Sequence, residues 1–229
     1  MLATLGLLAL VAQNPTADLV ALGRRLFHDG GLGSTGVACA DCHATVRDEA
    51  SEGDGKLRSG HTAFGMAARP YWRGDTRRTA YPQLGPAIDA CVQLFQIAAP
   101  LEATDSRALV AYLTSLSPAK GELPIQIQPA LEANLIYDRP KYRGGNADRG
   151  KKLFYRACHS CHPQGKSGLG PSITGASIPA VVLKIREGNG LLRGARRPSA
   201  WMPFFGRDRL SDDEVADIAA YVGTLLPPS

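Results

Sequence analysis

The sequence predicts an all-α protein built as two tandem helical units, because three patterns occur twice and in the same order. Gly23-Arg-Arg-Leu-Phe27 is echoed by Gly150-Lys-Lys-Leu-Phe154. Cys39-Ala-Asp-Cys42-His43 is echoed by Cys158-His-Ser-Cys161-His162. Ala108-Leu-Val-Ala-Tyr112-Leu-Thr-Ser-Leu116 is echoed by Ile218-Ala-Ala-Tyr221-Val-Gly-Thr-Leu225. Unrelated amphipathic helices give no reason for such an ordered series to recur. A length of 229 residues suits two units of roughly 100 each.

At the N-terminus, Leu2 to Ala12 is an uncharged apolar run, too short to span a bilayer as a mature helix. Small residues near Val11–Gln13 offer a signal-peptidase site, so residues 1–13 are expected to direct export to the periplasm. No Lys or Arg precedes Arg24, so the basic start of an ordinary signal is missing, and retention as an anchor is the other reading. The first unit is then 14–117 and the second 146–229. Between them, 118–145 carries Pro118, Pro124, Pro129 and Pro140. It is long for a pure linker, so part of it is expected to pack on a unit.

The first helix is expected to start after Thr16 and the second after Asn146, both good N-caps. Gly and Phe at i, i+4 share a helical face. Each unit closes with a helix that stops at a proline, Pro118 or Pro227. Ser211-Asp-Asp-Glu214 opens the last one as a capping box. A glycine at a helix crossing admits close approach. This pairs Gly23 and Phe27 with Tyr112, and Gly150 and Phe154 with Tyr221.

Five cysteines are an odd count for an exported chain. Four of them form two C-x-x-C-H motifs, the attachment motif of c-type haem. Two thiols add across the vinyl groups of one porphyrin, and the adjacent histidine lies under the iron as proximal ligand. Cys39, Cys42, Cys158 and Cys161 are therefore expected to hold two covalent haems, with His43 and His162 on the irons. A thioredoxin-like redox pair would follow a strand in a βαβ pattern, and none is visible. Zinc would need ligands from pairs 116 positions apart and would leave the histidine after each pair unexplained. The formal charge of +5 would be largely offset by four haem propionates. No Lys/Arg run or aromatic ladder suggests nucleic-acid binding.

With these motifs and their flanking helices, the chain resembles the class I cytochrome c fold in two copies over nearly its whole mature length. That resemblance implies an all-helical wrap around one haem per unit. One spacing differs: Phe154 lies 4 residues before Cys158, whereas Phe27 lies 12 before Cys39. The extra segment from His28 to Val37 is glycine-rich. Leu22-Gly-Arg-Arg-Leu-Phe-His-Asp and the following Cys39-Ala-Asp-Cys42-His43 look like the opening of the bacterial di-haem peroxidases, a local likeness that fades after His43.

The sixth ligand decides whether a haem carries electrons or does chemistry. In the second unit the candidate is Met202, in Trp201-Met202-Pro203, 40 residues after His162 and 19 before Tyr221. A loop methionine before the last helix matches the class I ligand position; the plain alternative is a packing side chain beside Trp201. The first unit offers Met66, His61 and Cys91. Cys91 lies 21 residues before Tyr112, close to the Met202 spacing, and Met66 lies 46 before it. Ala87-Ile-Asp-Ala-Cys91-Val-Gln-Leu-Phe95 is similar to the cysteine-ligand segment of thiosulfate dehydrogenases and of sulfur-oxidation cytochromes. That resemblance implies that Cys91 is an iron ligand and that its haem is the catalytic centre; the plain alternative is a buried thiol. Arg69, Arg73, Arg77 and Arg78 either pair with propionates or gather an anion such as thiosulfate. His28 and His159 are not expected to ligate. The expected function is electron transfer from a His/Cys haem to a His/Met haem and on to redox partner proteins. A sulfur-compound oxidoreductase is the second reading. A peroxidase is the third, but Cys91 and Met202 together would leave no iron able to open its sixth site.

Overall fold

A computed structural model of the chain describes residues 15–69, 72, 81–117, 139–188 and 202–225. The expected export signal, most of the connection from 118, Arg73, Arg77, Arg78 and Trp201 lie outside them. The described residues form α-helices joined by turns, with a lone bridge between Trp72 and Tyr81 and no strand among them. The first unit contains α1 (Pro15–His28), the single turn α2 (Cys39–Cys42), α3 (Leu84–Cys91) and α4 (Ala103–Ser115). The second contains α5 (Ala147–Ala157), α6 (Ile178–Glu187) and α7 (Asp212–Gly223).

Each unit has its own apolar core. Phe27, Ile88, Val92, Leu109, Tyr112 and Leu113 bury one, and Phe154, Val182, Ile185, Leu210, Ile218 and Val222 bury the other. The helix crossings follow the repeat. A Cβ on Gly23 would come within 2.0 Å of Ala108 O, and one on Gly150 within 1.9 Å of Asp217 O. These contacts lie one turn before Tyr112 and Tyr221, so the paired rings meet. Phe27 and Tyr112 sit 5.5 Å apart at 62°, Phe154 and Tyr221 5.3 Å apart at 59°. Such inclined pairs add about 1 kcal/mol beyond their buried area. Gly150→Ala should therefore cost about 3 kcal/mol, because backbone rather than a flexible tip would have to move. A denaturation midpoint unchanged by this substitution would refute the crossing.

The helix starts are mixed. Asn146 caps α5 through Arg149 N at 2.9 Å, and Ser211 and Glu214 form the expected box on α7. The first helix, by contrast, already includes Thr16 in its first turn and runs from Pro15. Proline suits that place, since the first N–H groups of a helix have no intrahelical partner. The end of the connection packs on the second unit: Tyr142 is buried in its core, and its hydroxyl donates to Asp212 at 3.1 Å. Asp217, 5% exposed, accepts from Asn146 N at 2.6 Å and Arg149 Nε at 2.7 Å, tying the start of α5 to α7. Burial alone would raise its pKa, but these bonds hold the carboxyl below the ordinary range.

Candidate functional site

Both Cys-x-x-Cys-His motifs take the same local shape. Each makes one helical turn in which the histidine N–H donates to the first cysteine's carbonyl, at 2.9 Å in both. The first turn is free-standing, with Asp41 accepting from Ala38 N at 2.9 Å. The second continues directly from α5, which ends at Ala157. None of the five cysteines is disulfide-bonded.

The two histidines are prepared alike. His43 Nδ1 lies 2.6 Å from His61 O, and His162 Nδ1 lies 2.8 Å from Pro171 O. A carbonyl only accepts, so Nδ1 carries the proton and Nε2 keeps its lone pair. Burial holds His43 down at about 4 against the pull of the His61 carbonyl, with the Arg69, His61 and Arg209 charges adding to the depression. Burial also lowers His162, against the pull of Pro171 O. Both imidazoles are neutral, with the tautomer a metal needs. A glycine supports each ring: a Cβ on Gly60 would come within 2.4 Å of the His43 ring, and one on Gly170 within 2.2 Å of the His162 ring.

Burial pushes Cys39 and Cys42 up to about 11 and Cys158 up to about 12, and raises Cys161 as well. Half-buried thiols in one turn with a neutral histidine fit thioether attachment of a haem. Arg69 supports this at the first site: its Nε is buried without a hydrogen-bond partner among the described residues, while Nη2 reaches Thr62 O at 3.4 Å. An acidic group such as a propionate would satisfy it. The two motifs are linked through one loop: Lys56 Nζ pairs with Asp41 at 2.7 Å, and the next residue, Leu57, donates from N to Arg156 O at 2.9 Å, two residues before Cys158.

Cys91 ends α3, and a π-helical turn, Val92–Gln96, follows it. Such turns often occur at functional sites. From that turn Gln96 Nε2 reaches Cys39 Sγ at 3.7 Å. The glycine-rich insertion fastens onto the same turn: Thr35 Oγ1 donates to Phe95 O at 3.2 Å, and Ser34 Oγ to Ile97 O at 3.3 Å. A Cβ on Gly33 would meet Gln96 O at 2.0 Å. The insertion and the Cys91 segment are therefore one structure beside the first motif. Met66 opens a 3-10 turn at the edge of the first core. His61 supports His43 with its carbonyl and directs its ring to Asp208, at 2.5 Å. Met202 is half-buried against the second core. A Cβ on Gly188 would come within 2.3 Å of Met202 O, so only a glycine lets the end of α6 back this segment. His28 packs edge-on to Phe27, and His159 stacks on Tyr155 at 4.5 Å.

Sequence reasoning did not single out Gly60, Gly170, the His61 and Pro171 carbonyls, or Arg58. Arg58, 3% exposed, donates from Nε to Ala40 O at 2.8 Å inside the first motif. A signal was present: in each unit, a glycine followed by the carbonyl-bearing residue comes after the motif, as Gly60-His61 and Gly170-Pro171.

Residues 145–222 match the family described as cytochrome c oxidase, cbb3-type, subunit III. The chain is 33% identical to a thiosulfate dehydrogenase of Psychrobacter arcticus over 135 residues, 56% of this chain and 39% of that protein. It is 30% identical to one of the subunits of the nicotinate dehydrogenase of Pseudomonas putida over 136 residues, 54% of this chain and 10% of that protein. The chain thus spans well under half the length of either relative. Among solved structures it is similar to thiosulfate dehydrogenase (TsdBA) from Marichromatium purpuratum, with a TM-score of 0.44 and 19% identity over 92% of this chain and 46% of that one.

Proposed function

We propose that this chain is a c-type cytochrome, an electron-transfer protein that carries two covalently bound haems and passes electrons from the first to the second. The single observation behind the count is the duplicated site: two motifs with the same turn, each with half-buried thiols and a histidine supported by a glycine and a carbonyl. In this reading Cys39 and Cys42 hold one haem over His43, and Cys158 and Cys161 hold the other over His162. Bound haem supplies one-electron chemistry at a potential set by its axial ligands. The chain fixes the ligand tautomers and ties the two motifs together through the loop at 55–57, which favours direct transfer. Cys91 is the proposed sixth ligand of the first site and Met202 of the second, which would make the first the low-potential donor and the second the high-potential outlet.

Periplasmic residence fits both the expected export signal and the covalent haem. Among the described residues, no helix is long and apolar enough to cross a membrane. The electrons would leave to a redox partner protein. Intact-mass analysis of periplasmically matured protein should show two haem additions on the chain. One addition, or none, would overturn the count.

A second reading has its own support. The likeness to a thiosulfate dehydrogenase covers more than half of the chain, and the Cys91 segment resembles that family's ligand segment. Here the chain oxidises a small sulfur anion at the first haem, with Cys91 in the catalytic centre and Arg69 contributing positive charge nearby. Reduction of the haem absorption bands by thiosulfate alone would establish it.

A further inference from the structure

The loop beneath His43 belongs to the first unit but is held from the second. Arg209 Nε and Nη2 both donate to Arg58 O, at 3.0 Å each. His61 Nε2 donates to Asp208 Oδ2 at 2.5 Å. Further back, Leu57 N donates to Arg156 O at 2.9 Å, and Arg156 Nε to Gly55 O at 3.0 Å. Each gripped stretch has a direct tie to the first motif. Arg58 bonds Ala40 O, Gly60 N donates to Cys42 O at 3.0 Å, and the His61 carbonyl takes the His43 proton.

The gripping segment is itself rigid. The fully buried Arg186 donates from Nη1 to Phe205 O at 3.1 Å and to Leu210 O at 2.7 Å, stapling both ends of the turn to α6. Phe205 N donates to Ile185 O at 2.7 Å. Among the described residues, the second site shows no such arrangement around its histidine: its carbonyl comes from Pro171, whose ring cannot hydrogen-bond to anything.

We infer that Asp208 and Arg209 are positioning residues for the first haem site, fixing the His61 carbonyl under His43 from across the unit boundary and so setting the orientation and basicity of that proximal ligand. The inference rests on the proposed haem at Cys39 and Cys42. A hydrogen bond to Nδ1 makes a ligating histidine more basic, which favours ferric iron. Loosening the His61 loop weakens that bond and raises the potential of the first haem.

The test uses the matured holoprotein carrying Asp208→Asn, Arg209→Gln or the conservative Asp208→Glu. Three quantities are read: the electron-paramagnetic-resonance signal of the first haem, its potential, and amide hydrogen exchange over residues 57–63. Asp208→Asn should speed exchange at Gly60 and Ala63 by roughly tenfold, the loss expected for one charge-assisted hydrogen bond. It should also shift the first-haem signal and raise its potential, leaving the second haem as in the wild type. Asp208→Glu should restore all three. If Asp208→Asn does not mature, Arg209→Gln reads the same loop from its Arg58 end, with the same expected changes. A potential shift with exchange and signal unmoved would be a through-space charge effect and would overturn the inference. Equal disturbance of both haems would overturn it as well, as general loosening. A wild-type chain without haem at Cys39 and Cys42 would sink the underlying reading and this inference with it.

Discussion

Met202→Ala should abolish the long-wavelength absorption typical of Met-ligated ferric haem and lower one of the two haem potentials. The size should be on the order of 0.1 V, a modest part of the roughly 0.8 V that axial ligands span. A thioether favours the ferrous iron, so losing it removes the stabilisation of the reduced state. The residue is placed for this by local structure rather than by its own packing. α6 ends at Glu187, and Gly188 takes a left-handed φ of 58° with its open face against Met202 O. The buried Arg186 then staples Phe205 and Leu210 just downstream. The backbone at and after Met202 is thus held without help from its side chain. Alanine there should remove a ligand and leave the second core folded. Optical spectra and potentiometry on the matured protein check both halves of this expectation. A band that survives the substitution would place the ligand elsewhere, and a changed first-haem potential would mean that the effect is not confined to the second unit.

The helical repeat was legible because it rests on short-range periodicity. Gly23, Phe27 and Tyr112, with Gly150, Phe154 and Tyr221, sit on single faces of helices, and a face is readable from spacing alone. The crossings and ring pairs follow from it. The preference for hydroxyl caps points to Thr16 as the start of α1, but Pro15 already lies within the helix. The support of the proximal histidines was harder to read. Gly60 and His61 come 17 and 18 residues after His43, whereas Gly170 and Pro171 come 8 and 9 after His162. Loops of unequal length hide the repeat, and the role of the second residue lies in a backbone carbonyl that its side chain does not reveal. The contact between His61 and Asp208 joins residues 147 apart. Nothing in local pattern or composition marks such a pair, since it depends on how the two units pack.

The largest change is expected at Cys91. Cys91→Met should convert the low-spin signal of the first haem from thiolate-like to Met-like and raise its potential by on the order of 0.1 V or more, given the range that axial ligands span. A thiolate on iron stabilises the ferric state through its charge, and a neutral thioether does not. Methionine suits the position because it is flexible and adapts to irregular packing. The structure gives the substitution a defined setting. Cys91 closes α3, the π-turn after it brings Gln96 to Cys39, and the glycine-rich insertion holds that turn through Thr35 and Ser34. The spacing from Phe27 to Cys39 that sets the first unit apart from the second is thus occupied by residues that fasten the Cys91 segment. The two departures of the first unit, a longer lead into the motif and a cysteine where the second unit has methionine, are coupled in space. If Cys91 is the ligand, the variant also separates the two functional readings. Thiosulfate-dependent reduction present in the wild type and altered in Cys91→Met places the chemistry at the first haem. Reduction absent in both, with the spectrum changed, leaves an electron carrier with a thiolate-ligated donor haem. A spectrum unchanged in Cys91→Met would exclude ligation by Cys91 and return Met66 or His61 to the front.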